Sequence, residues 1–228
     1  MDIKVFKFGG ASVNSAKGVR NVASIISRFP DNPIVMVISA MGKTTNALEE
    51  LLGFYLEDNP VSMAESFYRI RDFHFDILNE LFIEKSHPVF ADMEVLFERM
   101  RGYLGGRQLK KGMKREYNFE YDQVVSYGEL FATAIVHHYL LLSEVQSNLF
   151  DARKLIRTDS TFRDAKVDWT VTGKKIRLRM KAYFSPGSVS RKVAVIQGFI
   201  GADKEGNTTT LGREGSDYTA AIVAHSLK

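Results

Sequence analysis

The chain opens on an alternating apolar segment, Ile3 to Phe8, that runs into a Gly-Gly turn. The alternation predicts a strand, and the periodic apolar positions from about Ala16 to Arg28 predict a helix. Pro30-Asp31-Asn32-Pro33 ends that unit. Ile34-Val35-Met36-Val37-Ile38 then forms an unbroken apolar run, the pattern of a strand buried on both faces. Strand, helix and strand in close succession make a βαβ unit and predict a parallel sheet.

Ser39-Ala40-Met41-Gly42 reads as a loop, followed by a helix from about Thr45 to Glu57 that Asn59-Pro60 breaks. From Ser62 to about Ile83, Phe67, Ile70, Ile77, Leu78, Leu81 and Phe82 keep helical spacing. Beyond His87-Pro88, Val89, Met93, Leu96, Met100 and Tyr103 keep the same period. These helices predict a helical insertion or cover, bounded at residues 60–125, rather than more sheet. Gly102 to Gly112 carries Arg107, Lys110 and Lys111 among glycines and reads as a solvated loop. Ser126 to Leu142 is apolar on most faces and predicts a buried helix. Asn148 to Ile156 and Lys192 to Gln197 read as strands, while Arg177 to Tyr183 fits helix or strand. A turn at Asp203 to Asn207 precedes a last helix starting near Ser216.

With 228 residues, 45% hydrophobic and 25% charged, the chain suffices for one large domain or two small ones. The net charge of +4 suits a small anionic substrate as well as nucleic acid. The absence of cysteine excludes disulfides, thiolate metal sites and cysteine nucleophiles, and fits a cytoplasmic protein. No signal-peptide pattern opens the chain, and no apolar run approaches the roughly 20 residues that span a bilayer. No membrane partner is expected.

Two strand-to-helix junctions carry the candidate chemistry. Lys7-Phe8-Gly9-Gly10-Ala11-Ser12-Val13 places a cation, glycines and a hydroxyl where backbone N–H groups favour an anion. Thr209-Thr210-Leu211-Gly212-Arg213-Glu214-Gly215-Ser216-Asp217 does the same near the end of the chain, with an arginine suited to a carboxylate. The structural alternatives are a tight turn with a surface lysine in the first segment and a helix cap in the second. Gly42-Lys43-Thr44 is not a P-loop, because Val37 stands where that motif needs glycine. Ser39 and Thr45 flank a strand-end loop where ligands of open α/β sheets bind, and Thr44 or Thr45 fits a helix cap equally well. Glu129 opens a buried helix, and a buried carboxylate needs a partner: a substrate ammonium, an internal arginine or the helix N-terminus. His137 and His138 are adjacent and point to different helix faces, so packing or surface roles fit them better than a metal pair. No residue is nominated as a metal ligand.

The segments together resemble the aspartate kinases of the amino-acid-kinase family. Lys7 to Val13 resembles the Lys-Phe-Gly-Gly-Thr-Ser-Val signature, and Gln197 to Gly201 with Thr209 to Ala220 resembles a second. Val37-Ile38-Ser39-Ala40-Met41-Gly42 followed by Thr44-Thr45-Asn46 resembles a third, and Gly128-Glu129 a fourth. The resemblance implies an α/β fold, a three-layer αβα sandwich with a mainly parallel sheet. It implies transfer of the ATP γ-phosphoryl group, with Mg²⁺, to the side-chain carboxylate of L-aspartate, the first step toward lysine, threonine and methionine. It places Lys7 on the transferring group, Gly9, Gly10 and Ser12 on phosphate, and Asp217 as organiser of Lys7. Ser39, Thr45, Glu129, Phe199, Arg213 and Ser216 would surround the amino acid, with Arg213 on its α-carboxylate and Glu129 on its ammonium.

A carboxylate nucleophile is already ionised at neutral pH given a reference pKa near 4, so no general base is required. Two residues depart from the signatures: Ala11 stands for a usual Thr and Glu214 for a common Gly. Members of the family continue past the last helix, so residues 1–228 are expected to be the N-terminal part of the catalytic domain, weakly active or inactive alone, without the regulatory ACT domains. A homo-oligomer is expected of the full-length protein. Competing readings are a kinase of glutamate or acetylglutamate type and a non-catalytic binding module. Nucleic-acid binding is disfavoured, because the basic cluster Arg107 to Arg115 lacks interleaved aromatics.

Overall fold

A computed structural model describes residues 3–106, 116–185 and 193–228. Lys4–Phe8 (β1), Ile34–Ile38 (β2), Ser147–Phe150 (β3) and Val193–Gln197 (β4) form a four-stranded parallel sheet in the order β1-β2-β4-β3. The strand period of two decides how the faces are used. On β2, Ile34, Met36 and Ile38 enter one apolar cluster and Val35 the other. On β4, Val193 and Val195 join the first, Ala194 and Ile196 the second. Both strands are buried along their whole length, as their unbroken apolar runs predict.

Ala16–Ser27 (α1), Thr44–Leu56 (α2), Pro60–Leu81 (α3), Pro88–Gly106 (α4), Tyr117–Val125 (α5) and Tyr127–Leu142 (α6) supply the cluster on the first face. Ala152–Leu155 (α7), Trp169–Tyr183 (α8) and Gly215–Ser226 (α9) supply the second. The expected sandwich of helices on both faces of a parallel sheet is therefore present. A separate antiparallel hairpin, Ile200–Ala202 (β5) with Thr208–Thr210 (β6), stands beyond the end of β4.

Several expectations are corrected. Helix α4 runs through Gly102 to Gly106, where the glycines predict a loop; the basic remainder, Arg107 to Arg115, lies outside the described residues. The strand expected from Asn148 to Ile156 stops at Phe150. There Asp151 accepts the Arg153 N–H at 3.0 Å and caps α7, while the Gln197 side chain accepts the Ala152 N–H at 2.8 Å. Arg177 to Tyr183, which fits helix or strand in the sequence, is the end of a helix started by Asp168, whose side chain accepts the Val171 N–H at 2.9 Å. Neither Thr44 nor Thr45 caps α2: the Thr44 hydroxyl donates back to the Met41 carbonyl at 2.6 Å. Thr45, the next residue, lines the cavity at the end of the sheet.

Gly128 sets where α6 begins. A Cβ there would stand 2.9 Å from the Ala40 Cβ and 3.4 Å from Leu48 Cδ1. Replacing Gly128 by Ala should lower stability by about 1–2 kcal/mol, because overpacking outweighs the helix propensity of alanine. Urea unfolding checks this, and a midpoint at or above that of the parent protein would contradict it.

Candidate active site

The C-terminal ends of β1, β2 and β4 are held level. Ser39 N–H donates to the Phe8 carbonyl at 3.1 Å and Gly198 N–H to the Ile38 carbonyl at 2.8 Å. Ligands of open parallel sheets bind at this edge. Here it opens into a cavity of about 400 Å³ lined by Lys7, Ser39, Thr45, Glu129, Phe199, Arg213, Ser216 and Asp217 among others. Every residue expected around the amino acid, and both expected to organise the transfer, share this one space.

Lys7 Nζ lies 2.9 Å from Asp217 Oδ2, so the junctions at opposite ends of the chain meet directly. Asp217 stands in the first turn of α9, where a carboxylate is favourable. Gly9 adjoins Lys7: a Cβ on Gly9 would be 3.4 Å from Nζ. Gly10 is pressed against the second loop, its carbonyl accepting the Gly42 N–H at 3.0 Å, and a Cβ there would stand 2.7 Å from the Ala40 carbonyl oxygen. Gly9, Gly10 and Ser12 do not line the cavity itself. Ser12 opens no backbone donor, since its N–H is bonded to the Gly9 carbonyl at 2.9 Å, and only its exposed hydroxyl remains.

Glu129 sits in the first turn of α6 and is 2% exposed. Its Oε1 accepts the Ala40 N–H at 3.1 Å, and its buried Oε2 has no hydrogen-bond partner. Burial pushes the carboxyl up to about 8, opposed by the Ala40 bond. Among the described residues no arginine bonds this carboxyl; the first turn of α6 serves it through its own backbone N–H, which opposes the shift as the Ala40 bond does and leaves Oε2 without a partner. The unpartnered oxygen belongs to a residue of the cavity wall, which is the arrangement a bound cation would complete.

The cavity also concentrates backbone strain. Of the five non-glycine residues with left-handed backbone among those described, three line it: Arg163 (φ 71°), Phe199 (φ 66°) and Glu214 (φ 56°). Phe199 is fixed by its N–H, which donates to the Thr219 hydroxyl at 3.0 Å, and its carbonyl, which accepts the Leu211 N–H at 2.8 Å.

Among the described residues no group of three or more His, Asp or Glu side chains is placed to hold a metal, and no helix is long and apolar enough to cross a membrane. His137 Nδ1 lies 2.8 Å from the Ser147 hydroxyl and His138 Nε2 2.8 Å from Asp92, so the adjacent pair serves two different contacts.

Residues 2–228 match the Amino acid kinase family. The chain belongs to that family. Among relatives of this amino acid kinase chain, the lysine-sensitive aspartokinase 3 of Escherichia coli (strain K12) is 32% identical over 99% of this chain and 47% of its own. The chloroplastic aspartokinase 1 of Arabidopsis thaliana is 34% identical over 98% of this chain and 38% of its own. The solved structure of E. coli aspartokinase III in complex with aspartate and ADP superposes with a TM-score of 0.85 at 31% identity, covering 99% of this chain and 47% of that one. The chain thus spans about half the length, or less, of the relatives it matches.

Two cavity residues of this member of the Amino acid kinase family escape its sequence pattern, Tyr121 and Arg163. Tyr121 belongs to α5, which the pattern does not predict; its hydroxyl donates to Glu49 at 2.7 Å, and burial pushes it well above its usual range. Arg163 lies in the irregular segment before α8. The only signal for α5 is the pair Val124 and Val125 with Tyr121 three residues before them, one short apolar patch. Glu214, noted in the sequence only as a departure from the signature, also lines the cavity, and its left-handed backbone explains why glycine is common at that position.

Proposed function

We propose that the protein carrying this chain phosphorylates the side-chain carboxylate of L-aspartate from ATP, giving 4-phospho-L-aspartate at the head of the aspartate-derived amino-acid pathway. The observation that carries the reading is the cavity itself: the Lys7–Asp217 pair, Arg213 and Glu129, with its unpartnered oxygen, all belong to one wall lining. An amino dicarboxylate has one feature for each. Its α-carboxylate suits the Arg213 guanidinium, its ammonium suits Glu129, and its second carboxylate is left beside Lys7. The relative bound to aspartate and ADP supports the same assignment.

In the transfer, an oxygen of the acceptor carboxylate forms a bond to the γ-phosphorus. The bond from that phosphorus to the β,γ-bridging oxygen breaks, and its electron pair leaves on ADP. No proton is removed from the acceptor. The protein's share is alignment and neutralisation of charge. Lys7 supplies a fixed cation, held by Asp217; Gly9, Gly10 and Ser12 stand on the phosphate side. Mg²⁺ fits this donor set in the mode that takes one or two carboxylates plus substrate phosphates, with the exposed Asp217 as the carboxylate available, and it would neutralise phosphoryl oxygens there.

Residues 1–228 are read as the N-terminal part of a longer catalytic domain, in line with the share of the relatives they cover, with residues 60–125 as a helical insertion. Those residues hold α3, α4 and α5, all within the connection from β2 to β3. A cytoplasmic location and a homo-oligomeric full-length protein come with the family resemblance. No nucleic-acid partner is invoked.

Isothermal titration with L-aspartate, L-glutamate and N-acetyl-L-glutamate tests the substrate. Aspartate is expected to bind most tightly. Tight glutamate binding without aspartate binding would overturn the choice.

A further inference from the structure

Arg163 is held at the cavity by constraints that the site described so far does not use. Its backbone adopts φ 71°, a conformation that a bulky residue takes only under strain, and strain of this kind collects at functional sites. Its N–H is held by both carboxylate oxygens of Asp122, each at 3.1 Å. The same carboxylate accepts the Thr210 N–H at 2.8 Å and the Thr210 hydroxyl at 2.6 Å. Asp122 is wholly buried. One carboxylate therefore ties Arg163 to the end of β6, three residues before Arg213. The contact continues at Gly212, where an added Cβ would stand 3.3 Å from the Arg163 carbonyl oxygen and 2.9 Å from Asp164 Oδ1.

The guanidinium is as specifically placed as the backbone. Its carbon lies 4.5 Å from the centre of the Tyr121 ring and 5.2 Å from that of Tyr117. A guanidinium held against two aromatic rings spends none of its N–H groups on them as ordinary hydrogen bonds, so its fork remains to donate to a carboxylate. Among the described residues Arg163 has no carboxylate within ion-pair distance of its side chain. Arg163 adjoins the turn of Gly212 and Arg213, whereas Lys7 is beside Gly9 and Asp217.

We propose that Arg163 is a second guanidinium of the amino-acid site, binding the substrate's α-carboxylate beside Arg213 and setting the preference for acids that carry that group. The proposal rests on the aspartate reading above. The cations on the cavity wall are Lys7, Arg163 and Arg213, against Glu129, Glu214 and Asp217. Lys7 is taken by Asp217 and Glu129 by the ligand's ammonium, which leaves two guanidinia for the α-carboxylate side.

The test compares L-aspartate with 3-aminopropanoate, which keeps the ammonium and the acceptor carboxylate at the same spacing but lacks the α-carboxylate. Arg163→Gly suits the left-handed backbone, so the variant should fold and melt close to the parent. Titration calorimetry should show aspartate binding weakened about tenfold or more, the loss expected for a charged hydrogen-bonding partner, and 3-aminopropanoate binding unchanged. Arg163→Lys, which keeps the charge without the fork, should fall between. Equal weakening of both ligands, or unchanged aspartate affinity in Arg163→Gly, would overturn the role of Arg163 while leaving the aspartate reading intact. A parent protein that binds no aspartate would instead overturn that reading, and this role with it.

Discussion

Replacing Lys7 by Ala should lower kcat for phosphoryl transfer by roughly 10³-fold while the melting temperature barely moves. The two effects separate because of where Lys7 sits. Its contact to Asp217 is direct at 2.9 Å, but the lysine side chain is 26% exposed and the aspartate 61%. A solvated pair of that kind contributes at most about 1 kcal/mol to folding. In the transfer, negative charge spreads over the phosphoryl oxygens, and a fixed cation aimed at them is worth about 3–4 kcal/mol once water is excluded. Lysine 7 therefore matters far more to the reaction than to the fold. Rapid-quench measurement of transfer by the protein carrying this chain, beside a thermal melt, reads both. An unchanged kcat would remove Lys7 from the mechanism. A collapse in kcat accompanied by a large drop in melting temperature would instead make Lys7 part of the scaffold.

How far the sequence reveals this site depends on the kind of residue. The buried strands β2 and β4 are legible because both of their faces are covered, so apolar residues run without a break. The two junctions are legible because glycine, hydroxyl and cation recur together where a strand hands over to a helix. Their meeting is not legible from local pattern: Lys7 and Asp217 are 210 residues apart, and only the family resemblance joins them. What stays hidden is polar yet buried. Helix α5 carries Glu120 and Asp122 wholly inside the protein, partnered by the Tyr103 hydroxyl and by Thr210 with the Arg163 backbone. Read as a pattern, those acids look like a solvated face and blur the helical period. The overlong strand at Asn148 to Ile156 fails for the reverse reason. Leu155 and Ile156 are core residues beyond β3, and the cap at Asp151 that separates them from it rests on a side chain, not on hydrophobic rhythm. Arg163 has no local signal at all, because its place is set by a carboxylate 41 residues earlier in the chain.

Replacing Glu129 by Gln should weaken aspartate binding by about 2–4 kcal/mol and at the same time make the ligand-free protein more stable at pH 8. Both follow from one buried carboxyl. Burial raises it to about 8 against an ordinary value of 4.5. A carboxyl raised in the folded state contributes stability that is fully present below the unfolded value. That contribution is lost as pH rises through the folded value. Between about pH 5 and pH 8 the ligand-free protein should therefore lose up to about 1.4 kcal/mol per pH unit from this group. In Glu129→Gln the new amide oxygen can still accept the Ala40 N–H, so the variant should keep the local structure and lose the pH slope. Aspartate acts in the opposite sense. Its ammonium stabilises the ionised form beside the unpartnered Oε2 and draws the carboxyl down, so binding near neutral pH must release a proton. Titration calorimetry at pH 7 in two buffers of different ionisation enthalpy should show that release in the parent protein and none in Glu129→Gln. Aspartate affinity in the parent should climb toward pH 8 and then level. Proton release unchanged by the substitution would place the coupled group elsewhere. A flat stability profile in the parent would mean that water or a neighbouring charge already serves Glu129 in the free protein, and the cavity would lose its claim to an ammonium.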